Sequence, residues 1–169
     1  MRTITETKEL YTFEELTEEA KEKARERYRD GGLGYGWWDF CPDDYALDAK
    51  HFYFDLYRRS IDIKPARSAE DTARHIVENH GESCDSYKVA FDFLARLSTL
   101  MALLDGDDEE AADTAEEELD ALAEGFLQEL GECVLASLIR EAEWLDSNEN
   151  VDENITANEY EFTKDGRIA

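Results

Sequence analysis

The chain predicts a single α+β domain, mostly helical, with a small antiparallel three-stranded sheet. Three observations lead there. Apolar residues recur at three- and four-residue steps through most of the length, the period of buried helical faces. Near His51, and again near the C-terminus, the period switches to two, the alternation of half-buried strands. Finally, 42% hydrophobic and 11% aromatic residues in a chain of 169 are enough for one core and too many for disorder throughout.

The first helix is expected within residues 13–29, with two competing start signals. Thr12 with Glu15 three residues on forms a capping box, and Thr17 before Glu18 and Glu19 offers a later start. Leu16, Ala20, Ala24 and Tyr28 supply the inward stripe. Lys21, Lys23, Arg25, Arg27 and Arg29 gather towards the C-terminal end, where cations suit the helix dipole, so they read as helix stabilisation rather than as a basic binding surface. Asp30-Gly31-Gly32 ends the helix. Gly34 and Gly36 follow, but without a Gly-Lys-Ser/Thr, or a Gly-x-Gly-x-x-Gly after a strand, they do not make a phosphate loop. Tyr35, Trp37, Trp38 and Phe40 are expected in the core, closing the sheet against the helices. Pro42 suits the first turn of a short helix running to about Ala49.

Strands are expected at about 51–57, 60–64 and 157–163. Arg58-Arg59-Ser60 joins the first two as a hairpin, and the third puts Asn158, Tyr160 and Phe162 on one face. Two strands rarely stand alone, so all three are expected to pair. Between the second and third the chain reads as helical. Ser68, with Asp71 in the capping-box position, starts a helix that stops at Gly81. Asp85 caps the next, whose Ala90, Phe91, Phe93, Leu94, Leu97, Leu100, Met101 and Leu104 form the densest apolar set, and it is expected to be the central helix.

Residues 105–149 form a highly acidic helical region, with seventeen acidic residues against one basic residue, Arg140. Leu119, Leu122, Phe126, Leu130, Val134, Leu138, Ala142 and Leu145 trace one buried face, which leaves the carboxylates on the others. Gly131 is a point where this helix can kink, and Ser147 caps a last turn holding Val151 and Ile155.

The formal net charge of -25 is lopsided: residues 1–75 carry 17 acids against 13 bases, and residues 76–169 carry 26 against 5. Adaptation to a saline cytoplasm would spread acid over every element, and the near-balanced first half counts against it. Negative charge of this density excludes a nucleic-acid backbone or an anionic membrane as ligand of the acidic face and favours a basic protein surface or cations. A continuous helix over 105–149 would carry about one net charge per 4 Å of axis, against ~3.4 Å for one strand of duplex DNA.

Cys41, Cys84 and Cys133 are odd in number and far apart, which points to reduced thiols rather than a disulfide framework. With no apolar run at the N-terminus and no window of 18 apolar residues, a soluble cytoplasmic protein is expected. His75, His80 and Cys84 lie within ten residues, but the spacing splits the two histidines between helix faces and no fourth zinc ligand is near. Asp105, Asp107, Glu109 and Glu116 match positions one, three, five and twelve of a calcium loop, yet Glu110 stands where the loop needs Gly. No metal and no cofactor is expected. Without a Gly-x-Ser-x-Gly or a cysteine with an evident base, and with 43 acids that single out no pair, no catalytic constellation emerges.

Two stretches carry a resemblance. Tyr11-Thr-Phe-Glu-Glu-Leu-Thr-Glu-Glu-Ala-Lys-Glu-Lys-Ala-Arg-Glu-Arg-Tyr-Arg29 followed by Trp37-Trp-Asp-Phe40, and the closing Ala157-Asn-Glu-Tyr-Glu-Phe-Thr-Lys-Asp-Gly166, resemble small acidic proteins encoded by bacteriophages and prophages, mostly of unknown function and sometimes labelled antitoxin-like. The sequence departs from them in the short Pro42-containing link before the first strand. The resemblance implies a phage setting, in which acidic proteins imitate DNA to block restriction or CRISPR complexes. From the concentration of charge on one helical element beside a nearly balanced first half, the acidic helix from Asp107 to about Glu129 is expected to be a nucleic-acid-mimicking face for a basic groove of a host protein or ribonucleoprotein complex. Its partner-binding residues are Asp107, Asp108, Glu109, Glu110, Asp113, Glu116, Glu117, Glu118, Asp120 and Glu124. The competing reading is an antitoxin-like or accessory phage protein whose acidity serves only solubility or salt adaptation.

Overall fold

A computed structural model describes residues 7–34, 36–106 and 109–169. The elements are α1 (Glu18–Arg29), α2 (Cys41–Asp44), β1 (Tyr53–Asp55), β2 (Ser60–Asp62), α3 (Ala69–Asn79), α4 (Asp85–Leu104), α5 (Glu109–Leu145) and α6 (Asn148–Ala157), with 3-10 turns at Phe13–Glu15 and Ala49–His51. The protein is mostly helical with a small antiparallel sheet of two strands. It divides into two units: Met1–Trp37 with Arg140–Ala169, and Trp38–Ile139.

In the first unit both start signals of the opening helix are used, in tandem. The Glu15 carboxylate accepts from the Thr12 N–H at 2.8 Å and closes the 3-10 turn, after which Leu16 is extended. Thr17 then caps α1, its hydroxyl accepting from the Ala20 N–H at 3.3 Å. Ala20 and Ala24 are buried with Phe13, Val151, Ile155 and Phe162 in one apolar cluster. Gly166, at φ +82°, lies so close to α1 that a Cβ there would stand 2.1 Å from the Ala20 carbonyl oxygen, and no other residue fits. The basic residues of α1 are largely consumed inside the unit. Arg25 reaches both Asp152 oxygens at 2.7 Å and Glu22 at 3.0 Å, and Arg29 donates to the Asp146 carbonyl and to Asn148.

Residues 157–163 do not form the expected third strand. Instead α6 runs to Ala157, the Asn158 amide caps it by donating to the Asn154 carbonyl at 2.8 Å, and Glu159 turns the chain at φ 52°. The alternation of Asn158, Tyr160 and Phe162 was a helix end followed by a bend. Phe162 alone pairs, making single bridges to Tyr11 and to Ile168 rather than to the hairpin.

In the second unit β1 and β2 pair in the register Tyr53↔Asp62, Phe54↔Ile61 and Asp55↔Ser60. They are shorter than expected because the Asp55 carboxylate accepts from the Arg58 N–H at 2.9 Å, turning the chain out of the ladder, with Arg59 left-handed at φ 51°. Trp38 stacks on Phe52 and meets Phe54 edge-on, both at 5.6 Å, as expected of an aromatic closing the sheet, whereas Phe40 is exposed and Tyr35 lies outside the described residues. Helix α2, which carries Pro42 in its first turn, ends at Asp44, because Ala46 turns left-handed at φ 51°. Its carbonyl accepts both the buried Thr72 hydroxyl and the Ala66 N–H at 3.0 Å, which holds that turn in place. Ser68 caps α3 through the Asp71 N–H at 3.0 Å.

The central buried face belongs to α5, not α4. Leu122, Phe126, Leu130, Val134 and Leu138 are buried at successive four-residue steps, with Ala115 ahead of them. On α4 only Ser86, Ala90 and Phe93 are buried, while Phe91, Met101 and Leu103 are exposed: its apolar residues surround more of the helix than one packed face can cover. Helix α5 continues unbroken through Gly131. That glycine makes room for the hairpin, since a Cβ there would stand 3.2 Å from the Ile61 Cγ2.

Candidate functional site

The acidic region resolves into a helix of 37 residues, Glu109–Leu145, ~56 Å long at 1.5 Å per residue. Of the ten residues expected to meet a partner, Asp107, Asp108 and the side chain of Glu109 lie outside what the structure describes. Glu110, Asp113, Glu116, Glu117, Glu118, Asp120 and Glu124 are all exposed.

The helical period sorts these seven. At 100° per residue, Glu110, Asp113, Glu117, Asp120 and Glu124 fall within ~80° of one another, in a band opposite the buried Ala115, Leu122 and Phe126. They recur at steps of three and four, so the band runs straight along the axis for ~21 Å. Glu116 lies to one side of it. Glu118 lies on the other side, facing α4. The residues taken as one surface are therefore a single ridge of five carboxylates with two outliers.

On the other helices some acids have a cation beside them. Glu18, Glu19 and Glu22 meet Lys21, Lys23 and Arg25 on α1, Glu70 meets Arg74 on α3, and Asp85 meets Lys88 on α4. Asp113, Glu117, Asp120 and Glu124 form no ion pair among the described residues, and α5 holds no basic residue before Arg140. Each i,i+3 or i,i+4 pair of like charges along the ridge costs ~0.2–0.5 kcal/mol, which only the favourable dipole at the helix start partly offsets.

Beside the ridge, α4 and α5 leave a trough of about 470 Å³ between them. Its floor is apolar and buried: Phe93 of α4 stacks on Phe126 of α5 with ring centroids 4.4 Å apart, next to Leu122. Asp92 and Arg96 on one wall and Glu118 and Glu129 on the other form its exposed rim. Gly125 lies in the α5 wall with nothing within 4 Å of where a Cβ would be. Sequence reading missed the trough. The one signal available was a glycine inside a strongly helical run that had no turn to make.

The remaining clusters are structural. His75 and His80 do not face apart; both rings meet the Asp44 carbonyl, at 3.2 and 3.1 Å. A carbonyl only accepts, so each Nε2 donates, and the His80 Nδ1 accepts from the Ser86 hydroxyl at 2.8 Å. The two Nε2 atoms tie α2 to the end of α3, while the Nδ1 atoms of His75 and His80 are met by Asn79 and Ser86. The calcium-like spacing from Asp105 falls on α5 from Glu109 onward, where no twelve-residue loop can form. No helix among the described residues is long and apolar enough to cross a membrane.

No protein-family model matches this chain, and comparison with curated proteins and with solved structures returned no match.

Proposed function

We propose that this is a non-enzymatic binding protein of phage type, whose acidic α5 ridge occupies the basic nucleic-acid groove of a host restriction or CRISPR-type complex. The observation that carries the reading is the ridge itself: exposed carboxylates aligned on one helix face, of which Asp113, Glu117, Asp120 and Glu124 form no ion pair among the described residues, on a helix with no base before Arg140. From Glu110 to Glu132 there are nine acids and no base, about one charge per 4 Å of axis, close to the spacing along one strand of duplex DNA. Each carboxylate substitutes for a phosphate as an acceptor for Lys and Arg, and the -25 net charge draws the protein towards a basic surface from a distance. The phage setting implied by the resemblance at the chain ends agrees with such a role.

The test is competition with labelled duplex DNA for purified restriction and CRISPR effector complexes, across a range of salt. Competition is expected to weaken steeply as salt rises. Single changes such as Asp113→Ala cost ~0.2–1 kcal/mol, under about sixfold, because the contacts are exposed and replaceable. The combined Asp113→Lys, Glu117→Lys, Asp120→Lys, Glu124→Lys variant abolishes competition with the helical circular-dichroism signal intact. If that variant competes as well as the parent at physiological salt, the ridge is only a solvated face and mimicry is wrong.

A further inference from the structure

We infer that the trough between α4 and α5 is a second half of the binding surface, which receives the apolar face of a basic amphipathic helix of the partner. The inference rests on the acidic-ridge reading and adds to it a contact that salt does not screen.

Three features define the occupant. The trough is long: its walls run from Val89 to Leu100 on α4 and from Glu118 to Glu129 on α5, twelve residues each, or ~16 Å from end to end. A helix laid in it with anchors at i, i+4 and i+7 needs ~10 Å, so three anchors fit. The trough is apolar at the bottom, with the Phe93–Phe126 stack and Leu122, and deepened at Gly125 by the missing side chain. Its rim is acidic on balance, with Asp92, Glu118 and Glu129 against Arg96, and Glu118 continues the charge of the neighbouring ridge. A helix with leucines or aromatics on one face and Lys or Arg flanking them satisfies all three features at once. A second copy of the chain does not suit it, because each would bring a net charge of -25 to the same place.

The experiment uses two synthetic peptides of about 20 residues and equal positive charge. One carries Leu at i, i+4 and i+7 between its Lys and Arg residues; the other carries Gln there. Binding of each to the full-length protein is followed by fluorescence anisotropy. The Leu peptide is expected to bind the parent at least about tenfold more tightly, the worth of burying apolar anchors. Gly125→Leu puts a side chain into the trough at a position where its Cβ meets nothing within 4 Å and replaces a glycine inside a helix, so melting is expected to stay level or rise while the preference for Leu disappears. Leu100→Gln on the half-exposed wall is a second variant with the same expected loss. The fourfold lysine variant of the ridge weakens both peptides alike and keeps their ratio. Equal binding of the two peptides to the parent, or a preference that survives both trough variants, overturns the inference while leaving the ridge to stand or fall on the lysine variant. Concentration-dependent dimerisation that Gly125→Leu abolishes also overturns it, by making the occupant a second copy.

Discussion

At the scale of single residues, the two glycines of α5 do opposite things, and substitution separates them. Gly131 is where Ile61 of the hairpin approaches, and a Cβ would meet it at 3.2 Å, whereas Gly125 faces open space. Gly125→Ala therefore removes only the backbone freedom that makes glycine a poor helix former, and it is expected to raise stability by ~0.8–1 kcal/mol. Gly131→Leu gains the same propensity but forces the hairpin outward, at ~1–3 kcal/mol of overpacking, and is expected to lower it. Urea midpoints of the two variants check this. Midpoints that move together show that the hairpin does not rest on α5 at Gly131.

At the scale of the element, the ridge of α5 works against the helix that carries it. Glu117 has Asp113 four residues before it and Asp120 three after it, all exposed. Changing Glu117 to Lys converts both repulsions into attractions, the pair with Asp113 in the better orientation with the acid N-terminal to the base and the pair with Asp120 in the poorer one, and is expected to stabilise the protein by about 1 kcal/mol. The same change removes a carboxylate from the proposed partner surface, so thermal denaturation and DNA competition should move in opposite directions, as happens where function is kept at the expense of stability. Were Glu117→Lys neutral in melting, the ridge would be too well solvated to strain the helix.

Across the whole molecule, the excess of acid is a standing self-repulsion that added salt relieves. Between about 0.01 M and about 1 M salt the screening length falls from ~30 Å to ~3 Å, so the melting temperature is expected to rise with sodium chloride. It should rise less in the fourfold lysine variant, whose net charge is smaller. Curves recorded with and without chelator are expected to coincide, because the calcium-like spacing is helical and the histidine rings are held by Asp44 and Ser86. A large drop on chelation would mean a metal site at the start of α5.

Much of the architecture was legible because it depends on near neighbours in the chain. Thr17 and Ser68 cap their helices through backbone N–H groups three residues on, and the buried series from Leu122 to Leu138 follows from the helical period alone. The exposure of the α5 carboxylates follows from the same period. Only the tertiary structure decided which periodic stretches found partners. Phe162 pairs with Tyr11 instead of the hairpin, Ala46 turns early because Thr72 and Ala66 hold its carbonyl, and α4 gives up the central place to α5. Each of these is settled by a group distant along the chain, whose approach a local pattern does not encode. The trough is the same kind of fact: Phe93 and Phe126 are thirty-three positions apart in sequence and 4.4 Å apart in the fold, and the space beside them exists only once two helices have been brought together.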